Sequence, residues 1–126
     1  MEETFGTYIR RKRMGAGISL RSLAARLEIS AVYLSNMENN RRPAPNKPLL
    51  DQFMAELRLN KEEQEHLMDL AARSKDQRVS ADLPEYIMEN DIVRAALRTA
   101  REVDATDAEW QEFIDKLNSR TKKPEG

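Results

Sequence analysis

Ile18-Ser19-Leu20-Arg21-Ser22-Leu23-Ala24, followed after two residues by Leu27-Glu28-Ile29-Ser30-Ala31-Val32-Tyr33-Leu34-Ser35-Asn36-Met37-Glu38-Asn39-Asn40-Arg41, is the part of the chain that sets its architecture. Ser19 and Ser30 are N-cap residues, each placed just before a short run of helical period. The first run, about Leu20 to Leu27, puts Leu20, Leu23, Ala24 and Leu27 on one face. The second, Ala31 to about Asn39, turns Leu34 and Met37 inward. Glu28-Ile29-Ser30 is the turn between them. A helix as short as the second gains little stability from itself and needs a neighbour to hold it.

Helical period continues on both sides. Thr4 caps a first helix to about Met14, with Phe5 and Ile9 as an i, i+4 apolar pair and Gly15-Ala16-Gly17 as its stop. Arg41-Arg42-Pro43-Ala44-Pro45-Asn46 cannot continue a helix, because proline lacks an N–H and restricts its predecessor. Asn46 is read as the cap of a helix from Lys47 to about Leu57, with Leu49, Leu50, Phe53, Met54 and Leu57 as its stripe. Asn60-Lys61-Glu62-Glu63 is a capping box opening a helix to about Ser74. Residues 75–82 read as a polar linker. Pro84 then begins a short helix, Asp91–Val103 a longer one, and Thr106-Asp107-Ala108-Glu109 is a second capping box. The helix it opens carries Trp110, Phe113, Ile114 and Leu117 at i, i+3, i+4 and i+7. The expected organisation is a domain over 1–74, a linker over 75–82, a helical dimerisation or interaction region over 83–117, and a disordered tail over 118–126.

Composition narrows the function. The chain of 126 residues has no cysteine, which excludes disulfides and thiolate metal sites and makes a reducing cytoplasm the expected compartment. No apolar run approaches a membrane span and no signal-peptide pattern opens the sequence, so no membrane role is expected. The net charge of −1 hides an asymmetry: residues 1–50 carry nine Lys+Arg against four Asp+Glu, and residues 51–126 carry twelve against eighteen, giving +5 and −6. A basic first half suits a polyanion and an acidic second half does not.

Two short helices at a tight turn are useful when the first braces the second and the second enters a DNA major groove. That geometry demands a small residue where the helices cross, apolar residues locking the turn, and small or polar residues facing outward. Ala24, Ile29 and Leu34 meet the first two demands; Ala31, Ser35, Asn36 and Asn39 meet the third. With these residues in place, the stretch about 5–59 resembles the Cro/phage-repressor (Xre) type of helix-turn-helix transcriptional regulator. The likeness to sporulation-type repressors of that group is strongest around Tyr33-Leu34-Ser35.

The resemblance implies an all-α, five-helix lambda-repressor-like DNA-binding domain with a helical C-terminal extension. It further implies base contacts from Ala31, Val32, Ser35, Asn36 and Asn39, with Asn36 suited to a bidentate contact with adenine and Ala31 or Val32 to a thymine methyl. Phosphate contacts are implied for Arg21, Ser30, Tyr33, Arg41, Arg42 and Lys47, with a packed ring the alternative for Tyr33. Arg13 and Glu38 occupy the positions of an ion pair bracing the first helix to the recognition helix. Arg10, Arg11 and Lys12 read as further phosphate contacts or as a solvated helix face. Two positions depart from the family's pattern. Leu20 replaces a phosphate-binding Gln, so that contact is lost or passes to Arg21. Asn40 replaces the Gly that ends the recognition helix, and Asn tolerates the left-handed conformation required there.

The partners expected are therefore double-stranded DNA and a second copy of the chain, with no cofactor and no metal. Trp110, Phe113, Ile114 and Leu117 are candidates for the dimer interface; packing on the helix Asp91–Val103 within one subunit is the competing reading. An antitoxin-like or sensor role, in which the acidic C-terminal half binds a partner protein or effector, is the alternative function. Enzymatic chemistry is not expected. His66 has no second ligand at metal-binding spacing, the serines sit at caps, and Gly15 and Gly17 lie between helices rather than in a phosphate-cradling loop.

Overall fold

A computed structural model describes residues 3–75 and 79–121, the side chain of Thr121 excepted. Its regular elements, among the described residues, are all helical: α1 (Phe5–Gly15), α2 (Leu20–Arg26), α3 (Ala31–Glu38), α4 (Lys47–Glu56), α5 (Lys61–Arg73), α6 (Pro84–Glu89), α7 (Asp91–Glu102) and α8 (Asp107–Thr121). The chain divides into two compact units, Met1–Pro84 and Glu85–Gly126.

In the first unit the starts of the helices are written locally. Thr4, Ser19, Ser30 and Asn60 accept hydrogen bonds from the backbone N–H three residues on, and Thr4 and Asn60 complete capping boxes with Thr7 and Glu63. Asn46 departs from the expectation. It precedes α4 in an extended conformation, but its side chain makes no cap bond. Pro48, at the second helical position, has no N–H to give it.

The helix ends share one device. After α1, α2, α3, α4 and α7 the chain steps into the left-handed region at Gly17, Glu28, Asn40, Arg58 and Asp104. In each case the next residue's N–H reaches back five positions: Ile18 to Arg13, Ile29 to Ala24, Arg41 to Asn36, Leu59 to Met54 and Ala105 to Ala100. This is the Schellman closure, which satisfies carbonyls the helix leaves open and turns the chain sharply. In the first unit it lets the helices α1 to α5 fold back within short connections.

What they fold around is one core. Phe53, Ile9, Leu23, Leu34, Met37, Leu50 and Leu67, from α1 to α5, are fully buried in it. Phe5 and Phe53 meet edge to face at 6.0 Å. The segment read as a free linker is partly bound to this core: Ala81 packs against it, and Ser80 is buried and donates to Asp69.

In the second unit, Thr106 and Glu109 cap each other reciprocally, and α8 runs on past Leu117 through Thr121. Residues 118–121 are therefore helical rather than part of a disordered tail; no proline or glycine interrupts the chain before Pro124. Residues 122–126 lie outside the described residues. None of the described residues of this unit is buried. No helix among the described residues is long and apolar enough to cross a membrane.

Candidate nucleic-acid interface

The site is built on α3, and α3 is held from behind. Leu34 and Met37 sink into the core, and Ala24 of α2 and Ile29 of the turn pack where the two helices meet. Arg13 of α1 donates from Nε and Nη2 to the two carboxylate oxygens of Glu38, at 2.7 and 2.9 Å. Its Nη1 donates to the carbonyl of Ile18 at 3.0 Å. One guanidinium thus ties together α1, the turn before α2, and the end of α3. Glu38 is 5 % exposed, and its carboxylate, hydrogen-bonded to the guanidinium, holds the Arg13 pKa above its ordinary value.

A second contact is closer still. Gly6, buried in α1, lies against the end of α3, and a Cβ there would stand 2.3 Å from the Met37 carbonyl oxygen and 2.7 Å from that of Glu38. Only glycine permits this approach of backbone to backbone. Sequence reasoning passed over Gly6, because a glycine in the first turn of a helix carries no local signature of what it will touch.

Bracing one face of α3 leaves the other to solvent. Val32 is 70 % exposed, Asn39 is exposed, and Ser35 and Asn36 are half-buried. The side chain of Asn39 donates to the Ser35 carbonyl at 3.0 Å and to its Oγ at 3.3 Å, so those two polar groups form one unit along the helix. Half-buried Asn36 is without a side-chain hydrogen bond among the described residues. Ala31 is half-buried and packs partly against the core, so it presents less than its position suggested. Ser30 spends its Oγ capping α3 on the N–H of Tyr33.

Basic residues flank that face. Arg21 on α2 and Arg41 and Arg42 after α3 are exposed and make no ion pair among the described residues. Arg42 stands over the ring of Tyr33 at 5.8 Å, which places the phenol beside a cation as well as partly against the core. Lys47 is also exposed but pairs with Asp51 at 3.2 Å within α4. Leu20, where a polar contact would have been, is half-buried against the core, and the exposed cation next to it is Arg21.

The triplet Arg10, Arg11 and Lys12 divides. Arg10 is exposed, whereas Arg11 pairs with Glu3 at 3.0 Å and Lys12 with Glu63. Arg11 holds the Glu3 carboxyl below the usual carboxylate range, and Lys12 does the same for Glu63. These pairs bind α1 to its own N-terminal segment and to α5, a structural use of the charge. His66 joins them, ring edge against Tyr8 at 5.0 Å and Nε2 3.3 Å from Glu3.

The segment Pro43–Asn46 spans the gap between the basic residues after α3 and the start of α4. Ala44 N–H donates to Ser74 Oγ at 3.0 Å, and Lys75 Nζ donates to the Pro45 carbonyl at 3.2 Å. Neither Ser74 nor Lys75 was singled out from sequence.

In the second unit, the apolar residues of α8 are only partly covered by packing within it. Trp110 and Phe113 meet edge to face at 6.2 Å, with Phe113 51 % exposed, and Ile114 and Leu117 are exposed beside them. Ala96, Ala100 and Val103 of α7 and its cap line the same apolar cleft as Trp110 and Phe113.

Comparison with known proteins bears on the first unit. A family model described as a helix-turn-helix domain matches residues 4–67. No curated protein sequence matches. A solved structure described as the SinR protein/SinI protein complex is similar over 95 % of this chain and 100 % of that one, with 21 % identity and a TM-score of 0.48.

Proposed function

The chain belongs to the helix-turn-helix domain family, and we propose that it is a cytoplasmic, non-enzymatic transcriptional repressor that occupies a palindromic operator as a homodimer. The observation that carries this reading is the face of α3. Val32, Ser35, Asn36 and Asn39 look outward while Arg13–Glu38 fixes the helix from behind. Asn36 offers a donor and an acceptor to adenine, and Val32 an apolar contact to a thymine methyl. Arg21, Arg41 and Arg42 sit where cations beside a groove-reading helix meet phosphate, with Tyr33 and Lys47 at the margin. Phosphate contacts position the protein; the α3 side chains specify the sequence.

One such helix spans too few base pairs for genomic specificity, and pairing two copies on half-sites about one DNA turn apart is the usual remedy. The apolar residues Trp110, Phe113, Ile114 and Leu117, only partly covered in the second unit, are the proposed contact between copies. The same half-exposed face favours a second reading, in which a different protein or an effector docks there and controls DNA binding.

Selection from random-sequence duplexes tests the proposal. The expected product is a palindrome with half-sites about one turn apart, weakened roughly tenfold or more by Asn36→Ala through loss of a bidentate base contact. Enrichment of no sequence, or binding indifferent to Asn36, would reject base reading by α3.

A further inference from the structure

The connection between α3 and α4 has an unusual backbone. Of the three residues Pro43-Ala44-Pro45, two have no N–H, so Ala44 carries the only donor. Ala44 and Pro45 are both buried, and a buried donor has to be satisfied. The acceptor is Ser74 Oγ at 3.0 Å, thirty residues away at the end of α5. That hydroxyl has one proton, which it donates to the Ala71 carbonyl at 2.7 Å. The Oγ is thereby fixed as an acceptor toward Ala44. Lys75 takes the next polar group of the segment, the Pro45 carbonyl, at 3.2 Å. Adjacent residues at the end of α5 thus hold both sides of one short strap.

The ends of the strap carry the proposed phosphate contacts. Arg41 and Arg42 precede it, and Lys47 opens α4 two residues after it. Arg41 and Arg42 are exposed and without ion pairs among the described residues, and Arg42 stands over the Tyr33 ring, so their reach depends on where the backbone carries them. The N–H groups of Arg41 and Arg42 donate to the Asn36 carbonyl at 2.8 and 3.3 Å. Beyond them two prolines restrict the backbone, and the Ala44 N–H is the one backbone donor of the strap that ties it to α5.

We propose that Ser74, assisted by Lys75, is a positioning residue for DNA: it clamps the Pro43–Pro45 strap so that Arg42 and Lys47 meet phosphate together. Ser74 touches no nucleic acid in this scheme and acts through the strap. The inference rests on the DNA-binding reading above and deepens it, because it gives the end of α5 a part in binding that its distance in sequence conceals.

The test uses the full-length chain and a fixed random-sequence duplex, on which phosphate contacts dominate, titrated against salt. Ser74→Ala is expected to weaken binding roughly fivefold, the worth of one net hydrogen bond of ordinary strength. The slope of log affinity against log salt should fall by about 0.9, the signature of one lost phosphate contact. Ser74→Thr, which keeps the hydroxyl, should restore both, and the exposed position of Ser74 lets all three proteins fold. In an Arg42→Ala/Lys47→Ala background, Ser74→Ala should change neither quantity further. A wild-type affinity and slope in Ser74→Ala, or an equal loss in both backgrounds, would overturn the clamp. If wild type itself shows no salt-dependent binding, the DNA-binding reading fails and the clamp with it. If wild type and Arg42→Ala behave as phosphate binders while Ser74→Ala does not differ from wild type, the clamp alone fails.

Discussion

Each unit of the molecule contains an edge-to-face pair of purely apolar or indole rings, Phe5–Phe53 and Trp110–Phe113, and the two pairs have opposite surroundings. Phe5 and Phe53 meet at 6.0 Å inside the core of the first unit, where Phe53 has no exposed surface. Trp110 and Phe113 meet at 6.2 Å in the second unit, where Phe113 keeps half of its surface in water. The first unit closes five helices over its apolar residues. The second has two long helices and one short one, and buries none of its described residues. A unit of about 40 residues cannot cover enough surface to stand alone without staples or association. The same local pattern, an apolar stripe on a capped helix, is thus a core in one place and a half-exposed face in the other.

Deleting one ring from each pair puts the most strain on that contrast. Phe53→Ala should cost about 4 kcal/mol in urea unfolding, with a midpoint that does not depend on protein concentration. Phe113→Ala should act through association: sedimentation is expected to show a shift from dimer toward monomer, and its effect on unfolding should shrink with dilution as wild type also dissociates. A Phe113→Ala protein with wild-type mass at every concentration would mean that the second unit's face is not the contact between copies.

Next in size is the brace behind α3. Glu38→Gln leaves the Arg13 charge, 12 % exposed, without its counterion and should cost about 3 kcal/mol. Because the pair fixes the recognition helix, DNA affinity should fall further than the loss of stability alone explains, measured under conditions where the variant is fully folded. An unfolding midpoint equal to wild type would show that the first unit does not depend on its buried pair.

The smallest effect concerns the surface pairs that bind α1 to its N-terminal segment and to α5. The Glu3 and Glu63 carboxyls are held below their usual range by Arg11 and Lys12. A depressed folded-state pKa gives stability that is fully present above the ordinary carboxylate value and is lost as pH falls through the lowered one. The melting temperature should therefore decline modestly between pH 5 and about pH 3. Glu63→Gln should be slightly less stable at neutral pH and show a shallower acid decline. An unchanged acid profile in Glu63→Gln would remove that pair from the account.

Helix starts and the outward row on α3 were legible because the contacts that make them span three or four residues. Thr4, Ser19, Ser30, Asn60 and Thr106 cap their helices wherever those helices come to lie. Helix ends were less legible. Two of the five left-handed closures fall on Glu28 and Arg58, residues with no preference for that conformation. There the packing of the next helix sets the turn, and the local backbone bears about 1 kcal/mol or more of strain.

The helical period, the caps, the short pair at 19–40 and the separation of charge between the two halves were all written in the order of residues, because each depends on neighbours within a few positions or on composition. Packing in three dimensions was needed to settle that Gly6 admits the end of α3, that Arg13 reaches both Glu38 and the Ile18 carbonyl, and that Ser74 answers the lone N–H of a proline strap thirty residues away. It also settled which apolar stripe would be buried and which left partly in water. The reason is the same in each case: a group's partner at long range is chosen by which elements the core brings together, and no property of the group alone records that choice.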